Sequence, residues 1–263
     1  MAFQLSEVEH NYPKNIHILN NGYLNTLLTK ISQAKTIQPH FNSLLSQAYR
    51  ELLIQVLNNE WPMIETECAT RMTAMHPEQK YKGKVFDDQQ KAVCVDVARA
   101  GMVPSQVIFD MINHFTNPIG VRQDHVFASR VTDERDQVTH TSLSSSKIGG
   151  DIENALVFLP DPMGATGNSL CEVVNHYKKK VEGTAKRFIS VHLIITPEFI
   201  RKVCETHPDI QVYAARLDRG FSTSEALKQP PGSLWDQEKG LNEQQYIVPG
   251  AGGVGELINN SFV

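Results

Sequence analysis

Asp161-Pro162-Met163-Gly164-Ala165-Thr166-Gly167-Asn168-Ser169 decides the fold, because of what stands on either side of it. Ahead of it, Ala155, Leu156, Val157, Phe158 and Leu159 form an unbroken apolar run, the pattern of a strand buried on both faces of a parallel sheet. Pro160 and Pro162 stop that strand. Beyond the run, Leu170, Val173, Val174 and Tyr177 recur at helical spacing, Lys178, Lys179 and Lys180 load the far end, and Gly183 closes the element. A strand, a loop of small residues and a helix in this order can bring consecutive backbone N–H groups around a phosphate. The Thr166 and Ser169 hydroxyls add donors and the helix start adds partial positive charge. No Gly-Lys-Ser/Thr is present, so the Walker-type nucleotidase reading lacks its metal-binding and phosphate-binding side chains. Asp161, at the carboxyl end of the strand, faces the same crevice and suits ribose hydroxyls or water on Mg²⁺. The plain alternative is an ordinary turn, with Asn168 or Ser169 as a helix cap.

Similar units lie to both sides. An apolar strand at 92–97 runs into Ala98-Arg99-Ala100-Gly101, and a helix from about 104 to 114 buries Val107, Ile108, Met111 and Ile112. Downstream, a strand at 188–196, a helix at 197–206 with Pro197 in an early position, and a strand at 210–217 follow in turn. This alternation predicts an α/β fold: a doubly wound, mostly parallel sheet flanked by helices, with ligands at the carboxyl ends of the strands. Arg99, Asp161 and Asp218 fall at that edge. Toward the N-terminus, 21–34 and 41–57 read as helices, the second carrying an apolar stripe of Leu44, Leu45, Ala48, Leu52, Leu53 and Leu57. Residues 1–76 thus form a helical arm and 77–263 the α/β domain, with Tyr81-Lys82-Gly83-Lys84 as a turn or hairpin near its start. Two insertions interrupt the domain. The polar run 129–150 is expected to be disordered or a mobile loop closing over a charged ligand, and 221–240, with Pro230-Pro231-Gly232, a surface excursion near the site.

Composition sets the outer bounds. A chain of 263 residues with 41% hydrophobic content can bury one large α/β core or a core with a small lobe. Cys68, Cys94, Cys171 and Cys204 are too scattered for a zinc ribbon or redox dithiol and read as reduced, buried thiols. The chain has no apolar run of membrane-spanning length and no basic, apolar leader, so a soluble cytoplasmic protein is expected. A formal charge of −4 with scattered basic residues argues against nucleic-acid or membrane partners.

Three motifs in one order carry a resemblance: Ala98-Arg99-Ala100-Gly101, then the run at 161–169, then Tyr246-Ile247-Val248-Pro249-Gly250. Over roughly 77–255 the chain resembles the uracil phosphoribosyltransferase family. That resemblance implies a phosphoribosyltransferase-like fold with a small hood near the C-terminus. It also implies transfer of phosphoribosyl from phosphoribosyl pyrophosphate to uracil, with Mg²⁺ carried on the pyrophosphate, and a homodimer or higher homo-oligomer. By the same resemblance, Asp161, Pro162, Met163 and Gly164 with Ala165, Thr166, Gly167, Asn168 and Ser169 form the phosphoribosyl-pyrophosphate loop. Arg99 and Arg130 would hold pyrophosphate, and Arg99, Arg130 and Asp161 would be the catalytic set. Tyr246 and Ile247, with Gly252, Gly253 and Val254, would wall the uracil pocket, where backbone groups read the polar edge of the base.

The chain also departs from the pattern. Gly253 stands where the family carries an aspartate, with Glu256 near the place of a second acid, and Gly164 and Asn168 replace a bulky residue and a glycine. Gly250-Ala251-Gly252-Gly253-Val254-Gly255 matches G-x-G-x-x-G, yet the eight residues after it are too few for a dinucleotide site. The protein is therefore either a phosphoribosyl transferase or a ligand-binding regulator that keeps the phosphate loop without full catalysis.

Overall fold

A computed structural model describes residues 3–132 and 138–262; the side chains of 129–132 and 138–142 lie outside the described set. The chain begins with strand β1 (Ile16–Ile18), helices α1 (Gly22–Ile31) and α2 (His40–Glu60), and a hairpin of β2 (Met63–Cys68) and β3 (Tyr81–Phe86). It continues through β4 (Ala92–Ala98), α3 (Met102–Asn113), β5 (Val121–Thr132), β6 (Val138–Lys147), β7 (Leu156–Pro160), the two-residue β8 (Met163–Gly164) and α4 (Asn168–Lys180). Last come β9 (Arg187–Ile195), α5 (Pro197–Thr206), β10 (Gln211–Leu217), α6 (Ser224–Leu227) and α7 (Val254–Asn259).

The main sheet has the order β1-β10-β9-β7-β4-β5-β6, with β8 beside β9. Its pairings are parallel except β5 with β6. The alternating side chains of β7 explain why this strand is apolar throughout. Leu156 and Phe158 join one core, with Leu45 and Leu52 of α2 and Ile108 of α3. Val157 and Leu159 join the other, with Val173 and Tyr177 of α4 and Ile200 of α5. The N-terminal helices therefore share the sheet's own core. Local signals set the starts of α1 and α5: the Asn21 side chain accepts the N–H groups of Tyr23 and Leu24, and the Thr196 hydroxyl accepts that of Phe199, with Pro197 in the first turn.

From β4 the chain passes to β5 on one side and later returns to β7 on the other, so the loops leaving β4 and β7 diverge and open a crevice at their carboxyl ends. Arg99 and residues 161–169 flank that switch point.

The polar run 129–150 differs from the expectation of a structureless loop: its described backbone belongs largely to β5 and β6, an antiparallel pair. A hairpin at the sheet edge needs no apolar face on its solvent side, which is why hydrophobic period missed it. Tyr81-Lys82-Gly83-Lys84 lies within β3, paired with β2. The excursion at 221–240 is pinned to the body. The buried Glu238 carboxylate accepts hydrogen bonds from Tyr12 Oη, from Arg219 Nη1 at 2.7 Å and from the Gly232 N–H at 2.9 Å. Among the cysteines, Cys94 and Cys171 are buried and Cys204 half-buried, but Cys68 is exposed, because β2 belongs to a hairpin with no core behind it. No described helix is long and apolar enough to cross a membrane.

Candidate functional site

A small cavity of about 40 Å³ opens at the carboxyl end of β7. Asp161, Met163, Gly164, Ala165, Thr166, Gly167 and Ser169 line it, joined by Leu170, Phe199 and Gln245. The loop's carbonyl groups are tied back onto β9 and α5. Pro162 O accepts the N–H groups of Leu193 and Ile194, Gly164 O that of Thr196, and Ala165 O the Thr196 hydroxyl at 2.6 Å. With the carbonyls held on that side, the N–H groups of Thr166 and Gly167 donate to no acceptor among the described residues. Asn168 N donates weakly to Thr166 Oγ1 at 3.4 Å, and α4 begins at this point. Donors without acceptors at the start of a 13-residue helix make an electropositive concavity suited to a phosphate. Gly167 makes the turn at φ 78°, where a side chain would be strained.

Gly164 has its own reason to be small. A Cβ there would lie 2.9 Å from Ile195 Cγ2 and 3.0 Å from the Phe199 ring. Phe199 thus occupies the space that a bulky residue at 164 would fill. Phe199 and Gln245 escaped the sequence reading: Phe199 lies inside α5, away from any motif, and Gln245, at φ 63°, carries none.

Asp161 is held on two sides. Its Oδ1 accepts the Met163 N–H at 3.1 Å, and its carbonyl accepts from His192 Nδ1 at 2.6 Å, which makes His192 the Nδ1–H tautomer. His192 is fully buried, its Nε2 meets no partner among the described residues, and burial pushes its pKa down to about 4.

None of the remaining expected residues whose side chains are described lines this cleft. Pro162 is buried beneath the loop, and Asn168 opens α4. Arg99 follows β4 after a cis Ala98–Arg99 peptide and is exposed; its Nη1 donates to the Ser261 carbonyl at 3.1 Å and to Ser261 Oγ at 2.9 Å. Gly101 packs against the neighbouring strand end, where a Cβ would lie 3.2 Å from Pro160 O. Arg130 pairs through its backbone with Thr141, and its side chain lies outside the described residues. Tyr246 is half exposed, while Ile247 and Val254 are buried. The cleft reaches this segment through Gln245 rather than Tyr246. Asp218 anchors the turn that follows: it accepts the Gly250 N–H at 2.7 Å and a two-pronged pairing from Arg216. Gly250 has φ 62°, and a Cβ there would meet Ile247 O at 2.2 Å. Gly252 is exposed, and Gly253 caps α7.

The family model for uracil phosphoribosyltransferase matches residues 18–233. The chain belongs to the uracil phosphoribosyltransferase family. The matched span includes Arg99 and the 161–169 loop and stops short of residues 245–256. Over 245 residues the chain is 29% identical to a uracil phosphoribosyltransferase of Thermosipho africanus, covering 92% of this chain and 97% of the relative. To one from Variovorax paradoxus it is 28% identical, covering 93% and 97%. The AQ2163 protein from Aquifex aeolicus shares the fold, with a TM-score of 0.71 at 17% identity over 94% of this chain and 99% of that one.

Proposed function

We propose that the protein transfers a phosphoribosyl group from phosphoribosyl pyrophosphate to uracil, forming UMP and releasing pyrophosphate. The observation that carries this reading is the cradle at 161–169: carbonyls tied to β9 and α5, with the Thr166 and Gly167 N–H groups left over for the 5′-phosphate. In this reading the bond from ribose C1 to the pyrophosphate oxygen breaks as the bond from C1 to uracil N1 forms, and N1 gives up its proton. Positive charge builds on the sugar and negative charge on the leaving group. The chain's task is to fix both ends and keep water out. Asp161, held by Met163 and His192, would meet the ribose hydroxyls in this reading. Arg99, on the loop across the switch point, would take pyrophosphate after leaving Ser261. No group of three or more His, Cys, Asp or Glu among the described residues is arranged to hold a metal ion. In this reading Mg²⁺ enters with the substrate, carried on the pyrophosphate.

A second reading, a regulator that binds phosphoribosyl pyrophosphate without turnover, draws on Gly253 and on the engagement of Arg99 by Ser261. Labelled uracil incubated with phosphoribosyl pyrophosphate, Mg²⁺ and the protein separates the two. UMP formation with uracil, and less with other bases, is the expected result. Binding without UMP would favour the regulator.

A further inference from the structure

Gln245 reaches the cavity at 161–169 from a separate part of the chain: among the described lining residues it alone belongs neither to the loop nor to α4 or α5. Its backbone lies in the left-handed region, at φ 63°. Glutamine lacks the short side chain with which asparagine bonds locally in that conformation, so the surrounding chain must hold it there. A small hairpin does so. Leu241 and Ile247 face each other as an antiparallel bridge, the Asn242 carbonyl accepts the Gln245 N–H at 3.0 Å, and the Asn242 side chain accepts the Tyr246 N–H at 2.8 Å. The base of the hairpin is fixed to the start of α5, where the Glu198 carboxylate accepts the Gly240 N–H at 3.0 Å and the Leu241 N–H at 3.2 Å. Two residues earlier, the Thr196 hydroxyl donates to the Ala165 carbonyl of the loop. One helix start therefore sets loop and hairpin against each other, and Gln245 stands where they meet. Its backbone N–H is engaged, yet the side-chain amide of this half-buried residue meets no partner among the described residues. A half-buried amide beside the spare Thr166 and Gly167 N–H groups adds a further donor to the cavity.

We propose that Gln245 is a ligand-contacting residue of this site, its side-chain amide donating a hydrogen bond to the phosphate seated on the 161–169 loop. The proposal rests on the reading of that loop as the 5′-phosphate site. It accounts for a side chain at φ 63°: glycine would suit the backbone better, but it would leave the phosphate without this donor.

Gln245→Gly separates ligand contact from turn geometry, because glycine adopts φ 63° without strain and removes only the amide side chain. Gln245→Glu keeps the length and puts a carboxylate in place of the donor. Calorimetric titration of the full chain with ribose 5-phosphate should show Gln245→Gly about tenfold weaker than wild type, and Gln245→Glu weaker still through repulsion of the phosphate. The melting temperature of Gln245→Gly should stay close to wild type, since relief of the left-handed strain offsets the added freedom of the unfolded chain. Wild-type affinity in either variant overturns the proposal while leaving the loop assignment standing. Weakened binding in Gln245→Gly together with a markedly lowered melting temperature overturns it in favour of a role in shaping the hairpin. A wild-type protein that does not bind ribose 5-phosphate overturns the loop assignment itself, and the proposal with it.

Discussion

His192 ties the stability of the fold to the geometry of Asp161, and pH is the natural perturbation. In the folded protein burial holds its pKa at about 4, against the 6.5 of an exposed imidazole. Below the unfolded value the unfolded chain takes up a proton that the fold refuses, so stability is complete above about pH 6.5 and is lost as pH falls toward about 4. About 2.5 pH units at ~1.36 kcal/mol each amounts to about 3 kcal/mol. Burial also lowers the pKa of His10 and His207, which add acid sensitivity of the same sign. His192→Gln isolates the residue of interest: the amide can still donate to the Asp161 carbonyl but does not titrate. Urea unfolding at about pH 7, about pH 5.5 and about pH 4.5 should give wild-type and variant curves that converge as pH falls, by up to ~1.4 kcal/mol per pH unit. A stability difference that stays constant over this range would refute the burial argument for His192.

Other substitutions probe the site and its supports. Gly164→Leu forces a side chain into Phe199 and should cost about 1–3 kcal/mol in urea unfolding. Adding Phe199→Ala should recover part of that loss, so the pair should be non-additive. Glu238→Ala leaves Arg219, the Tyr12 hydroxyl and the Gly232 N–H without their shared acceptor, and should cost about 3–5 kcal/mol by the same measurement. Arg99→Ala should lower turnover of phosphoribosyl pyrophosphate and uracil at least about a hundredfold in a steady-state UMP assay, with the melting temperature nearly unchanged because the side chain is exposed.

The sheet and the loop were legible because they obey short-range rules. Buried parallel strands read as continuous apolar runs, as at 156–160, and a small-residue loop before an amphipathic helix marks the strand–loop–helix unit that the structure has there. The β5–β6 hairpin was not legible, because an edge hairpin facing solvent carries no apolar period. Phe199 and Gln245 were missed for a different reason. Their place in the cleft depends on α5 and the 245–250 segment meeting the loop in space, with nothing in local spacing to signal it. Gly253 read as a lost carboxylate; only the fold shows Glu256 lying in the vacated volume.

The central claim is that residues 161–169 bind the phosphoribosyl moiety, and titration calorimetry with Mg²⁺ and phosphoribosyl pyrophosphate tests it most directly when wild type is compared with Thr166→Val. The wild-type protein should bind saturably, ribose 5-phosphate should displace the ligand, and the variant, lacking one hydroxyl donor to a charged group, should bind about tenfold more weakly. Equal binding by both proteins, or displacement failing with ribose 5-phosphate, would contradict it.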